Sequence, residues 1–355
     1  MSTSTASESR ASKPAPTARR NWIGLEAGGG RLRYALRRGR QGAFSVGTMC
    51  LETPGETLDA HALRARARRA GLPTGPAVCT LASPAIDIFP LHLPPGAPAA
   101  LASQVVAQAQ AQISYPLAEA VLDYSLLPEG ARRPVSGTVP VLVYAAPLAS
   151  ITNLLRRFEM IGLPVERLLT PAGVLAPRID AASLEARHLL VATGEEATSV
   201  SVVQHGAVLL ERILPWGITP LVDRLHTELN LPKDQCRALL GGDGPAEPGE
   251  AAADLALEGT LQEILGPAFS SLAGETAGCL GYCDSFLHHE PVASVVLCGP
   301  LEGYRFLREV LARELELPVR RALEALRLPG PARSPDAGVY ATSICCALWE
   351  EEVDG

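Results

Sequence analysis

An internal repeat constrains the fold of this chain more than any other feature of its sequence. The order strand, glycine-containing turn, alternating strand, turn and strand occurs twice, in residues 22–51 (WIGLEAGGGRLRYALRRGRQGAFSVGTMCL) and in residues 188–214 (HLLVATGEEATSVSVVQHGAVLLERIL). An amphipathic helix follows each copy, predicted over Glu56–Ala70 and over Thr219–Leu229. Two copies of one unit in 355 residues predict an α/β fold with two similar lobes that face each other.

A different pattern lies between the two copies, in residues 82–165, and it predicts a small α+β module inserted into the first lobe. The segments AVLDYSLL and VPVLVYAAP alternate as strands do. The segment LASITNLLRRFEMIG predicts an amphipathic helix with Gly162 as its C-terminal stop. A further helix is predicted from apolar residues spaced four apart on one narrow face: Leu101, Val105, Ala109 and Ile113.

The rest of the chain completes the second lobe and then closes on the first. Residues 241–259 are predicted to form a mobile acidic loop, and Gln262–Leu287 a long helix. The apolar segment DAGVYATSICCALWEEE predicts a helix that returns to the first lobe. The predicted division is a disordered tail at 1–20, a first lobe at 21–81 and 166–187, the inserted module at 82–165, a second lobe at 188–330 and the closing helix at 331–355.

Composition limits the classes of function that fit this chain. Its formal net charge of −7 argues against broad nucleic-acid binding, which needs a basic stripe. No apolar run reaches the length of about 18 residues that spans a bilayer. Residues 1–20 are polar and lack the apolar segment of a signal peptide. We therefore expect a cytoplasmic protein.

The cysteines give little sign of a metal site. The chain has 8 of them, scattered and without a CxxC pair, so we expect buried, reduced thiols. Cys279, Cys283, His288 and His289 suggest zinc, but the paired spacing of a structural zinc site is absent. We expect no metal.

Five stretches, in order, carry a family resemblance. They are ISYPLAEAVLDYSLL, SITNLLRRFEMIGLPVERLLTPAGVLA, SVVQHGAVLLERILPWGITPLVDRLHTEL, VVLCGPLEGYRFLREVLARELELPV and PDAGVYATSICCAL. Together they make residues 21–350 resemble the PilM family of type IV pilus assembly, and more distantly the division protein FtsA. The GspL-type domain of secretion platforms has the same fold and is an alternative.

The resemblance implies an actin-like (ribonuclease H-like) two-lobe fold whose inserted module is of the SHS2 type. In this fold ATP lies between the lobes, where two hairpin turns offer backbone N–H groups and hydroxyls to the phosphates. Acidic side chains at strand ends hold Mg²⁺. The matching positions in this chain are Glu26, Gly28, Gly29, Gly30, Arg33, Thr193, Gly194, Thr198 and Gly299.

The chain departs from the family pattern at both turns. The first pattern, GIDIGSSSVK, becomes GLEAGGGRLR, so the serine hydroxyls are lost and the acid is Glu26. The second pattern, LLVDIGASTTDLSVV, becomes LLVATGEEATSVSVV, so Ala192 and Ser199 replace aspartates, and Glu195 and Glu196 lie on the turn. Two carboxylates there would repel a polyphosphate, since a like-charge pair about 4 Å apart costs about 4 kcal/mol at an effective dielectric constant near 20.

We interpret Gly28–Gly30 as the relic of a phosphate turn and expect no catalytic residue. On the adenosine side one glycine of the pattern, Gly299, is kept, and Pro300 stiffens the backbone. Three alternatives stay open: the turn makes only a hairpin, the cleft binds ATP and Mg²⁺ weakly without turnover, or the chain is an active ATPase. We expect no cofactor, with ATP and Mg²⁺ as the alternative.

The resemblance implies an adaptor that binds the cytoplasmic tail of an inner-membrane PilN-like protein in a groove of the first lobe. Such a protein meets the membrane only through its partner, and actin-like folds often form homo-oligomers. Two other functions are an ATPase whose nucleotide state switches partner affinity and a small-molecule kinase. The kinase needs a catalytic carboxylate near the lobe connection, where Asp180 and Glu185 lie in no recognisable kinase context.

Overall fold

A computed structural model describes residues 22–38, 43–52, 59–128, 137–180, 185–240, 251–287, 290–328 and 335–349. The predicted tail at 1–20, the first residues of the helix predicted from Glu56, and both His288 and His289 lie outside the described residues. The same holds for residues 241–250 of the predicted acidic loop.

The elements are numbered in chain order. The strands are β1 (Ile23–Gly28), β2 (Arg31–Arg38), β3 (Ala43–Cys50), β4 (Ala77–Leu81), β5 (Asp87–Leu93), β6 (Ala120–Leu126), β7 (Val139–Pro147), β8 (Val165–Leu169), β9 (Arg187–Thr193), β10 (Thr198–Gln204), β11 (Ala207–Leu214), β12 (Val292–Cys298) and β13 (Val319–Arg321). The helices are α1 (Ala60–Arg69), α2 (Pro98–Ala109), α3 (Leu148–Met160), α4 (Pro171–Leu175), α5 (Ile218–Leu229), α6 (Lys233–Leu240), α7 (Ala251–Phe286), α8 (Arg305–Leu315), α9 (Ala322–Ala325) and α10 (Ala341–Ala347).

The internal repeat of the sequence appears as two five-stranded sheets with the same topology. The first sheet has the order β3-β2-β1-β4-β8 and the second the order β11-β10-β9-β12-β13. In each sheet the first three strands of the repeat pair antiparallel, and two later strands add in parallel. Parallel strands need crossover connections, which helices or longer inserted segments form here.

The described part of residues 82–165 contains a separate three-stranded antiparallel sheet of order β5-β7-β6, against which α2 packs. Leu101, Val105 and Ala109 are buried as the four-residue spacing predicts. The helix ends at Ala109, however, and the buried Ile113 lies beyond it. The chain tightens there, since the Ala111 and Gln112 N–H groups donate to carbonyls three residues back, that of Gln112 to Ala109 O at 2.9 Å.

Helix α3 ends next to Gly162, as the sequence predicts. Gly162 has φ +81°, a left-handed conformation, and its N–H donates to the Glu159 carbonyl at 3.0 Å. This prediction is confirmed. Helix α7, by contrast, begins at Ala251, 11 residues before the predicted start at Gln262. The segment AAADLAL that opens it consists mostly of strong helix formers, so the predicted loop at 241–259 is wrong for its second half.

One hydrophobic core joins the two sheets. It contains buried residues from both lobes, such as Val78 from β4 and Leu190 from β9, with α4 and α10 between them. All seven residues of α10 are buried, and the helix packs on β1, β2 and β4. Its approach to β1 is so close that a Cβ on Gly24 would lie 1.8 Å from the Ser343 carbonyl oxygen.

We predict that Gly24→Ala destabilises the protein, because the added methyl group collides with the α10 backbone. Overpacking of this kind costs about 1–3 kcal/mol. Gly274→Ala is the matched control, since this exposed glycine of α7 has no neighbouring atom within 4 Å of an added Cβ. The control should stabilise the helix by about 0.5–1 kcal/mol. Urea unfolding measures both, and equal midpoints for the two variants would contradict the close packing of α10 on β1.

Candidate functional site

The two glycine-containing turns of the repeat meet in the cleft between the lobes. Gly29 and Gly30, in the β1–β2 turn, have φ +55° and +67°. A Cβ on Gly29 would lie 2.7 Å from Cβ of Glu195, which belongs to the β9–β10 turn. A glycine is required at this position both by the left-handed backbone and by the contact between the turns.

A chain of four charged side chains crosses this contact. Arg33 lies directly across from Glu26 in the β1–β2 ladder, and its Nη1 donates to Glu26 Oε1 at 3.0 Å. Its Nη2 donates to Glu195 Oε1 of the second lobe. The other oxygen of that carboxylate, Oε2, accepts from Arg237 Nη1 of α6 at 2.8 Å. We call Glu26, Arg33, Glu195 and Arg237 the interlobe ionic cluster.

The cluster is formally neutral, and it is buried except at Arg237. Side-chain exposure is 2% for Glu195, 6% for Arg33, 12% for Glu26 and 24% for Arg237. Buried charges are tolerated when they are paired, and removing one partner is strongly destabilising. Burial raises the pKa of Glu26 above its usual value, and the neighbouring Arg33 opposes this rise. Within the described residues Glu26 Oε2 is buried without a hydrogen-bond partner.

Little space remains between the turns. The cavity there has a volume of about 10 Å³ and is lined by Glu26, Ala27, Gly28, Arg33, Ala82, Pro171, Ala192, Thr193, Gly194, Glu195, Ala197 and Thr342. Such a volume holds about one water molecule, whereas ligand pockets usually measure about 300–1,000 Å³. The structure thus gathers Glu26, Gly28, Arg33, Thr193 and Gly194, which the sequence singles out, around a closed space. Their role in binding stays a prediction.

The hydroxyls predicted to face a nucleotide are bonded inside the second lobe. Thr193 Oγ1 donates to the Cys298 carbonyl at 2.9 Å, and Thr198 Oγ1 donates to the Trp216 carbonyl at 2.8 Å. Gly299 has φ +89°, and a Cβ there would lie 2.2 Å from the Thr193 carbonyl oxygen. These three residues therefore hold backbone segments together at the end of β9.

The residues at the cleft do not fit Mg²⁺. Ala192 offers no oxygen ligand, and the Ser199 hydroxyl donates to Glu211 at 2.6 Å. The guanidinium of Arg33 lies between the carboxylates that a cation would need. In the described part of the chain, no group of three or more His, Cys, Asp and Glu side chains could hold a metal ion.

A second buried carboxylate links the lobes beside α4. Glu211 of β11 accepts hydrogen bonds from Ser199 and from Thr170, each at 2.6 Å, and Thr170 immediately precedes α4. Burial raises the pKa of Glu211, and the bonds from these hydroxyls oppose the rise. Sequence reasoning missed this residue, although an acid within the apolar strand segment AVLLERIL was a signal.

The segment that follows β12 contains another buried carboxylate. Glu302 is 1% exposed, and its Oε2 accepts from the Ala322 amide at 2.9 Å. A Cβ on Gly338 would lie 1.4 Å from Glu302 Oε1, so the carboxylate fills the space beside this glycine. Burial raises the pKa of Glu302 to about 6, although Arg321 and the Ala322 amide oppose the rise.

A larger groove lies away from the cleft, where the inserted module meets both lobes. Its volume is about 550 Å³, and its walls come from β6, β7, α3, β8, α4 and the β10–β11 turn. Most of its side chains are apolar, among them Val121, Leu126 and Leu155. The charged residues of its described lining, Asp123 and Glu166, are both acidic.

Solved structures share this fold. A chain of the PilM-PilN type IV pilus biogenesis complex matches with a TM-score of 0.74 and 20% identity, over 95% of this chain and 100% of that chain. At this identity the likeness shows a common fold, and the actin-like fold predicted from the sequence is confirmed. The SHS2 type of the inserted module and the domain boundaries stay predictions.

Two further structures are more distant. The ethanolamine utilization protein EutJ from Carboxydothermus hydrogenoformans has a TM-score of 0.49 and 14% identity, over 94% of this chain and 92% of EutJ. The cytoplasmic domain of EpsL, from the type II secretion system of Vibrio cholerae, has a TM-score of 0.39 and 13% identity, over 64% of this chain and 78% of that domain. No protein-family model matches the chain, and no curated protein matches it significantly.

We predict that Glu302→Gln stabilises the protein above pH 6. The folded state binds the Glu302 proton more tightly than the unfolded state, so ionisation of this group lowers stability as pH rises from about 4.5 to about 6. A shift of this size corresponds to about 2 kcal/mol. The stability gain of the variant should therefore be largest at pH 8 and should shrink to a small residual below pH 4.5.

Urea unfolding of both proteins across this pH range measures the effect. Glu309→Gln, on the exposed face of α8, is the control and should follow the wild-type profile. A Glu302→Gln profile parallel to that of the wild type would show that the carboxylate is not desolvated.

Proposed function

We propose that the protein is a cytoplasmic adaptor of a type IV pilus or related secretion apparatus. It binds the cytoplasmic tail of an inner-membrane PilN-like protein, with little or no ATP turnover. The observation that carries this proposal is the 550 Å³ groove, present in a chain that shares its fold with a chain of the PilM-PilN complex. The membrane is reached through the partner; none of the described helices is long and apolar enough to cross it.

The chemistry of the groove suits an extended peptide. Apolar side chains form most of its surface, and Asp123 and Glu166 add negative charge. A short segment with alternating apolar and basic residues would bury its apolar side chains and place its positive charges near these carboxylates. We expect such a segment in the partner tail.

The groove also offers a strand edge. In the described part of the chain β6 pairs with β7 alone, and β8 pairs with β4 alone. Unpaired edge strands accept an added strand through main-chain hydrogen bonds, while side-chain pockets give specificity. Val121 and Leu126 of β6 line the groove and are 38% and 57% exposed, so an added segment could cover them.

Two features of the cleft between the lobes support low ATP turnover. The interlobe ionic cluster fills the space between the two turns, and its two carboxylates are already paired with arginines where Mg²⁺ would need them. An adaptor needs a surface with a stable shape and does not need hydrolysis. The alternative, a nucleotide-switched ATPase, requires the lobes to open and close with nucleotide state.

We predict that Val121→Arg and Leu126→Arg weaken binding of the partner tail at least about tenfold, because they place a bulky cation on the apolar strand edge. Val106→Arg is the matched control, since Val106 is 42% exposed on α2 and does not line the groove. Fluorescence anisotropy with a labelled synthetic peptide, corresponding to the cytoplasmic tail of the PilN-like protein of the same cell, measures the affinities.

Two results would overturn the proposal: no binding of this peptide to the wild type, or equal losses in the groove and control variants. The same titration with millimolar MgATP separates the alternative function. An adaptor without ATP turnover keeps its affinity for the peptide and releases no phosphate above background. A nucleotide-switched ATPase changes its affinity for the peptide and releases phosphate.

A further inference from the structure

We propose that Glu195 is a built-in anion, which occupies the phosphate position between the two turns and locks the lobes together without a nucleotide. The inference concerns the cleft and not the groove, so it holds or fails independently of partner binding. Three observations carry it: the partners of the carboxylate, the placement of its backbone, and the contrast with its neighbour Glu196.

The partners of Glu195 come from both lobes. Oε1 accepts from Arg33 of the first lobe, and Oε2 accepts from Arg237 of the second lobe at 2.8 Å. Arginine forks are suited to carboxylate and phosphate oxygens alike. With the side chain of Glu195 2% exposed, the carboxylate has exchanged its water contacts for these two guanidinium groups.

The backbone of the Glu195 turn is fixed on both sides. Its carbonyl accepts from the Thr219 amide at 2.8 Å, which ties the turn to the start of α5. A Cβ on Gly217 would lie 2.5 Å from the same carbonyl oxygen. On the other side the turn rests against Gly29. The glycine run of the first turn therefore accommodates a protein side chain.

The neighbour on the same turn behaves differently. Glu196 is exposed, whereas Glu195 is buried with both oxygens bonded. The sequence alone suggested that the two carboxylates act alike, whereas in the structure only Glu195 is buried and paired. A polyphosphate could reach Arg33 only by displacing Glu195, which would leave a buried carboxylate beside the incoming negative charge. The carboxylate thus excludes the ligand whose position it occupies.

The test compares Glu195→Ala with Glu196→Ala in the full chain. Hydrogen–deuterium exchange reports the contact between the turns, and calorimetry with sodium tripolyphosphate reports a freed anion site. We expect Glu195→Ala to speed amide exchange in both turns at least about tenfold and to bind tripolyphosphate, because Arg33 and Arg237 lose their shared anion. The wild type and Glu196→Ala should do neither.

Amide exchange in Glu195→Ala at the wild-type rates would contradict the claim that Glu195 locks the lobes together. Equal tripolyphosphate affinities in the wild type and Glu195→Ala would contradict the claim that Glu195 excludes a polyphosphate. In Glu195→Ala, Arg33 retains only Glu26 as a partner, and a buried cluster with unbalanced charge can prevent folding. A second variant therefore combines Arg33→Met with Glu195→Leu, which removes one charge of each sign. This double variant should also exchange faster in both turns, yet bind no tripolyphosphate. Wild-type protection in the double variant would contradict the ionic lock.

Discussion

The contact between Arg33 and Glu195 is the constraint on which the arrangement of the two lobes depends. It joins residues 162 positions apart and lies in the cleft where the two copies of the repeat face each other. Glu26 and Arg237 complete a neutral cluster around it, and the hydrogen bonds of Glu211 to Thr170 and Ser199 add a second link beside α4. A hydrophobic core also spans the two lobes, so polar and apolar contacts specify the same orientation.

The fold could be predicted from the sequence because its signals are local and occur twice. Alternation and glycine turns define the three antiparallel strands of each copy, and Gly162 marks the end of α3. The errors fall at element ends. Nothing in the spacing of Leu101 to Ile113 shows that the chain tightens after Ala109. The start of α7 is hard to place because its helix formers directly follow the glycine- and proline-rich run GGDGPAEPGE.

The candidate site could be predicted only in part. The residue types that differ from the family pattern, such as Ala192 and Glu195, are visible in the sequence and indicate that the cleft has changed. Their new partners are not visible, because a single sequence contains no record of which distant residues touch. Arg237 lies on a helix with an ordinary amphipathic pattern, and only the packing of α6 against α5 brings it to Glu195. The sequence alone therefore predicts that the carboxylates of this turn repel a polyphosphate. It does not predict that two arginines neutralise Glu195.

The groove takes its last wall from the β10–β11 turn, where Gly206, Ala207 and Val208 of the second lobe face the inserted module. Its width is consequently set by the angle between the lobes and not by the module alone. A receptor whose internal charges fix that angle is preorganised, so little of its binding free energy is lost in ordering the site. For the adaptor proposed above, occupancy of the groove would follow the abundance of the partner in the cell and would stay insensitive to the ratio of ATP to ADP.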